Sequence, residues 1–157
     1  MADLRPATPE DAEAIGDVWF AAWKDGHLGL VPEELVRVRT PESFRERAAG
    51  KVPGATVAEV DGAIAGFVVV AGDEVEQVFV AAEHRGSGIA AQLLAAAEEQ
   101  LRASGHESVW LAVVPGNARA RAFYEREGWR DDGGLDYEAA GPNGPIAVPT
   151  RRYVKRL

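Results

Sequence analysis

Ile15, Val18, Trp19, Ala22 and Trp23 recur at helical spacing and predict a helix from Pro9 to about Lys24. Thr8-Pro9-Glu10-Asp11 supplies its start: a capping threonine, a proline whose missing N–H costs nothing in the first turn, and an acid placed for a capping box. Asp3 to Arg5, just upstream, is short enough for an edge strand. Gly26 to Pro32 reads as a loop, Pro32 to Val38 as a short helix, and Thr40-Pro41-Glu42 restarts a helix running to about Ala49. Beyond Pro53 the period shortens to that of extended chain. Thr56 to Val60 and Ala63 to Ala71 are apolar runs joined by Asp61-Gly62, a dipeptide suited to a tight hairpin.

Gly72-Asp73 turns the chain into a third extended run, Glu74 to Val80. The period then lengthens again. Ile89, Leu93, Ala97 and Leu101 form one stripe of a helix from about Gly88 to Ala103, with Leu94 beside it and Ser104-Gly105 at its end. Ser108 to Val114 is apolar enough for a central strand. Pro115-Gly116 breaks it, Asn117 can cap the following turn, and Ala118 to Glu127 reads as a helix stopped by Gly128. Trp129 onward reads as a strand pair around the loop Gly141 to Pro145, with Thr150 to Arg156 as the last strand. The order mixes α and β without an internal repeat or a linker, so one α/β (α+β) domain over residues 1–157 is expected.

Composition narrows the function. With 157 residues, 46% of them hydrophobic, the chain can bury one core and is short for two. A formal charge of −8 argues against nucleic acid and against anionic membranes, both of which call for a basic face, and favours cationic small molecules. There is no cysteine, hence no disulfide, no thiolate metal site and no cysteine nucleophile, and no metal is expected. Nothing at the N-terminus resembles a signal peptide and no apolar run approaches a membrane span, so a cytoplasmic protein is the simple expectation.

The chemistry is concentrated in two segments. In Arg85-Gly86-Ser87-Gly88-Ile89-Ala90 two glycines stand between a strand and a helix start, where backbone N–H groups can converge without interference from Cβ and the helix adds partial positive charge. That is a seat for phosphate. Gly86 to Ala91 also fits the Gly-x-Gly-x-x-Ala turn of dinucleotide-binding folds, but Ala81-Ala82-Glu83-His84 intervenes after its strand. The next strand moreover ends in Val113-Val114, without the acid that a ribose would need. A tight turn that merely uses glycine stays open for this motif taken alone. The second segment, Asn117-Ala118-Arg119-Ala120-Arg121-Ala122-Phe123-Tyr124, ends near Gly128-Trp129. Together, Arg-x-x-Gly-x-Ala from Arg85 and Asn-x-x-Ala-x-x-Phe-Tyr from Asn117 resemble the signatures of the GNAT superfamily of N-acetyltransferases. The resemblance covers Ala55 to Tyr153, while the N-terminal third matches only in its helical layout.

What the resemblance implies is specific. The fold would be a mixed, largely antiparallel sheet flanked by helices, splayed after its fourth strand to admit coenzyme A. Main-chain groups of Val78, Phe79 and Val80 would pair with the pantetheine amides, while Arg85, Gly86, Ser87, Gly88, Ile89 and Ala90 would surround the pyrophosphate. Asn117 would bind the pantetheine arm, cap its helix, or do both. Tyr124 would approach the coenzyme sulfur as general acid, a task that a phenol can perform for a departing thiolate, although plain packing is its other reading.

The acceptor amine must lose a proton. Glu74, where family members often carry a base, is the first candidate, with Glu76 sharing its face; His27, in the loop between helices, is a weaker one whose ordinary reading is a solvent-facing side chain. Members that acetylate ribosomal-protein N-termini often carry a glutamate where this chain has Ala112. The expected activity is therefore transfer of acetyl from acetyl-coenzyme A to a small-molecule primary amine by direct attack in a ternary complex. A non-catalytic acyl-coenzyme A sensor and a protein N-terminal acetyltransferase are the alternatives, and a homodimer is left open.

Overall fold

The computed structural model describes residues 2–157. Seven strands form one sheet in the order β1-β2-β3-β4-β5-β7-β6. They are β1 (Asp3–Pro6), β2 (Ala55–Val60), β3 (Ala63–Ala71), β4 (Glu74–Val80), β5 (Ser108–Val113), β6 (Arg130–Ala139) and β7 (Ile146–Arg156). Every neighbouring pair is antiparallel except β4 and β5. Five helices flank it: α1 (Ala12–His27), α2 (Glu33–Val38), α3 (Pro41–Lys51), α4 (Ile89–Ala103) and α5 (Ala118–Arg126).

Each face of the sheet has its own core. On one, Leu93, Leu94, Ala97 and Leu101 of α4 cover Val68, Val75, Val109 and Leu111, with Phe123 and Tyr124 of α5 packed alongside. On the other, Ile15, Trp19 and Trp23 of α1 and Phe44 of α3 cover Val57, Phe67 and Val69. Trp19 is fully enclosed, edge-on to Phe44 at 5.3 Å and to Phe67 at 5.6 Å, contacts that contribute about 0.5–1.5 kcal/mol each beyond the area they bury. Both indoles of the predicted stripe are thus core residues. Close approach of α1 to α3 requires Gly16, where a Cβ would stand 2.6 Å from the Arg45 Cα.

One irregularity matters for function. Val69 pairs with Gln77 but Val70 pairs with Val75, so Glu76 is the extra residue of a β-bulge. Strict alternation would leave Val75 on the face of Gln77 and Phe79. The bulge reverses it: Val75 joins Val78 and Val80 beneath α4, and Glu74, Glu76 and Gln77 turn together toward α1.

The structure corrects the sequence expectations at a few places. The Thr8 amide donates to Asp11 Oδ2 at 2.8 Å, but Pro9–Asp11 is a separate 3-10 turn before α1. Gly26 does not end α1, which continues to His27 because its apolar face is still covered there. β7 begins at Ile146, not Thr150, and contains Pro149. That proline is tolerated because β5 pairs only with residues 151–156, leaving the first half of β7 with a neighbour on one side.

Candidate active site

The parallel pair β4–β5 meets at a single register point, Glu74 with Trp110, reinforced by the Trp110 amide donating to the Asp73 carbonyl at 3.2 Å. Past it the strands part. Which main-chain groups face the gap follows from the ladder on the other side. The Ala81 amide donates to Ala65 at 2.8 Å, so by alternation Phe79 exchanges bonds with Phe67 of β3, and the N–H and C=O groups of Val78 and Val80 point into the opening. Phe79 is therefore a correction: its main chain is engaged within the sheet, and it contributes its ring to the wall.

A cleft of about 390 Å³ opens from this gap, lined by Val78, Val80, Arg85, Gly86, Gly88, Ile89, Ala90, Asn117 and Tyr124. Gly86 and Gly88 have φ of 78° and 86°, in the left-handed region, and nothing lies within 4 Å of where their side chains would be. Gly88 caps α4, whose first amides have no intrahelical acceptor and face the same opening. This loop has the room and the donors that a phosphate needs. Ser87 is the exception among the predicted residues: its hydroxyl donates to the His84 carbonyl, and its side chain lines a different depression with Ala2, Val60 and Gln92.

Arg85 reaches across to Asp25 of α1, 2.5 Å away, and Arg119 stands on the opposite lip. Asn117 Oδ1 accepts from the Ala120 amide at 3.2 Å, so capping uses its oxygen. The Nδ2 group packs on Gly26, where a Cβ would come within 2.8 Å of it. Tyr124 is surrounded by the rings of Phe123, Trp129 and Tyr153, and burial pushes its phenol up to about 12, so it is protonated at neutral pH. The end of α5 that carries it is fixed by a satisfied buried carboxylate. Glu98 accepts from Trp129 Nε1 at 3.1 Å and pairs with Lys155 at 2.8 Å, and Lys155 also donates to the Glu127 carbonyl.

Glu74 does not share this cleft. It lines an adjoining cavity of about 340 Å³ with Glu76, Gln77, Ala112 and Tyr137. β4 thus runs from one chamber to the next, with Glu74 to Gln77 in one and Val78 to Val80 in the other. Burial raises the Glu74 carboxyl above its ordinary range, a hydrogen bond from the Tyr137 hydroxyl at 2.8 Å lowers it part of the way, and the charge of Glu76 raises it again. Glu76 itself is paired with Lys51 at 2.5 Å. His27 is not solvent-facing. Its ring stacks on Trp23 at 4.9 Å, and Nδ1 lies 2.9 Å from the Trp23 carbonyl, which can only accept, so Nδ1 carries the proton and Nε2 is the free nitrogen.

Tyr137, Arg39 and Arg47 of this cavity escaped the sequence reading, as did Asp25 and Gly26 of the cleft. None belongs to a motif, and only the inward alternation of Leu135, Tyr137 and Ala139 could have marked the tyrosine. The acidic composition also misleads locally, because the cavity holds Arg39, Arg47 and Lys51 against Glu74, Glu76 and Glu138. Among the described residues no cluster could hold a metal ion, and no helix is long and apolar enough to cross a membrane.

The sheet is opened between parallel strands, with a glycine loop and helix start at one mouth and titratable groups at the other. Residues 13–129 match the Acetyltransferase (GNAT) family, and the chain belongs to that family. No sequence among curated proteins matches it significantly. The GCN5-related N-acetyltransferase from Rhodopseudomonas palustris has the same fold, with a TM-score of 0.80 and 20% identity over 100% of this chain and 96% of its own. PaiA N-acetyltransferase from Thermoplasma acidophilum, solved in complex with coenzyme A, gives 0.75 and 19% over 100% and 99%. YncA from Salmonella typhimurium, a putative acetyltransferase solved with its cofactor acetyl-CoA, gives 0.72 and 16% over 99% and 94%.

The surroundings of His27 can be checked in solution. Burial holds its pKa below the usual range, the hydrogen bond to Trp23 opposes this, and the nearby Arg39 charge adds a further depression. An NMR titration should place the midpoint below the ordinary value of about 6.5, and Arg39→Gln should raise it part of the way. A midpoint at or above 6.5 would mean that His27 is solvated.

Proposed function

We propose that the protein transfers an acetyl group from acetyl-coenzyme A to a primary amine of a small molecule by direct attack in a ternary complex. The observation that carries this reading is the course of β4, which presents unpaired main-chain groups in one chamber and a half-buried carboxylate in the next. Val78 and Val80 offer the pantetheine arm an edge to pair with, and Gly86, Gly88 and the α4 start offer the pyrophosphate unpaired amides. The neighbours solved with coenzyme A and acetyl-CoA support the same cofactor here.

The amine enters the second chamber. Glu74, made more basic by burial, takes its proton directly or through water. Tyr124 faces the sulfur that departs. A phenol near 12 protonating a thiol near 8.5 would run uphill by about 5 kcal/mol in full transfer, so Tyr124 acts by donating a hydrogen bond as the C–S bond breaks, and an apolar site raises the thiol pKa and narrows the gap. The furnished second chamber favours this reading over a sensor that only binds acyl-coenzyme A. Ala112 in its wall leaves it without the glutamate expected for acetylation of ribosomal-protein N-termini.

Release of coenzyme A thiol across a panel of amines tests the activity. Tyr124→Phe should keep the fold and the cofactor affinity yet slow single-turnover chemistry by roughly 10². An unchanged chemical rate would make Tyr124 a packing residue. Tyr137→Phe removes the hydrogen bond that holds the Glu74 pKa down, so the acidic limb of kcat/KM should move to higher pH. A limb that stays put, or moves lower, would exclude Glu74 as the base.

A further inference from the structure

The second chamber contains two cations that the proposed transfer does not use. Arg39, between α2 and α3, is 7% exposed and lines the cavity. Among the described residues its guanidinium makes no ion pair or hydrogen bond, although its backbone is fixed by a 3.2 Å bond from its amide to Val36. Arg47 of α3 lines the same wall, its guanidinium stacked 4.3 Å over Trp19 and 5.5 Å from the Phe44 ring, without an ion pair. Burial lowers the pKa of both, most for Arg47, as expected of charges that have lost water without gaining an anion.

A buried arginine is ordinarily retained with a partner, because an uncompensated buried charge is costly. The third cation, Lys51, already has one in Glu76. Arg39 and the half-buried Arg47 therefore remain, among the described residues, without an ion pair in a chamber that also holds Glu74 and Glu138. A guanidinium presents donors in a fork that matches a carboxylate.

We infer that the acceptor is an aminocarboxylate: its amine is directed to Glu74 and its carboxylate is held by Arg39 and Arg47 in the same cavity. The inference rests on the proposed acetyl transfer and deepens it by naming the acceptor class. The formal charge of −8 would suggest a purely cationic amine, but the chamber sets Arg39, Arg47 and Lys51 against Glu74, Glu76 and Glu138, a mixed lining that suits a ligand carrying both charges. The wall also carries apolar side chains, Trp23, Leu35 and Val148 among them, so a hydrocarbon body between the two charged ends also fits.

Matched pairs of probe amines separate the terms: L-phenylalanine with 2-phenylethylamine, 4-aminobutyrate with butylamine, and 4-(aminomethyl)benzoate with benzylamine. In at least one pair the carboxylate member should have the higher kcat/KM, by at least tenfold. Arg39→Gln should erase that preference, through a loss of kcat/KM for the carboxylate member that exceeds any loss for its neutral partner by at least tenfold. A second reading needs no turnover: the acetylated product of the preferred carboxylate should raise the melting temperature of the wild type more than the acetylated neutral amine does. If no amine is acetylated but the carboxylate products still bind in an Arg39-dependent way, the transfer reading fails and the anion site stands. Equal or better turnover of the neutral amines in every pair overturns the inference, as does a preference that survives Arg39→Gln. Should Arg39→Gln not fold, Arg39→Lys keeps the charge without the fork and should lose most of the preference.

Discussion

The structure turns on one constraint: β4 and β5 run parallel but are joined at a single register point, so the main chain of Val78 and Val80 has hydrogen-bonding partners on neither side of the gap within the sheet. Buried backbone groups are rarely left unpaired, and exposed ones at a strand edge offer a template for whatever chain can align with them. In this fold the edge is internal. It is protected from a second protein strand by α1 and α5 on either side and remains open to a narrow, amide-bearing ligand. The glycine loop at Gly86 and Gly88, the helix cap Asn117 and the half-buried Tyr124 are all arranged around that opening.

Electrostatics divide the two chambers. In the cleft, Arg85 is engaged by Asp25 in a largely exposed pair, which contributes little net energy in water. In the second chamber Arg39 is buried and Arg47 half-buried, and among the described residues neither guanidinium has an ion pair. The bulge at Glu76 connects the two. With Glu76 in a regular pleat and no bulge, Glu74 would lie beneath α4 and Val75 would face α1 in its place.

Much of this was legible in the chain. Hairpin, helix and turn signals located nearly every element, because Asp61-Gly62, Pro115-Gly116 and Gly128 punctuate clear changes of period. The cleft residues were legible for the same reason that motifs exist: the glycine loop and the Asn117 to Tyr124 segment are each local in sequence, so spacing alone brings their side chains together. The acceptor chamber was not. Arg39 comes from between α2 and α3, Arg47 from α3, Glu74 from β4 and Tyr137 from β6, and only tertiary packing gathers them. Ser87 and Phe79 mark the limit of spacing, since membership of a motif does not say which way a side chain turns or whether an amide is already paired.

Residue-resolved amide hydrogen exchange, measured on the protein alone and with saturating acetyl-coenzyme A, tests the central claim most directly. The cofactor should slow exchange at Val78 and Val80 and in the first turn of α4, while Phe79, already paired with β3, should be slow in both states. Unchanged exchange at Val78 and Val80 with the cofactor bound would contradict the account, because the ligand would then be held somewhere other than the opened sheet.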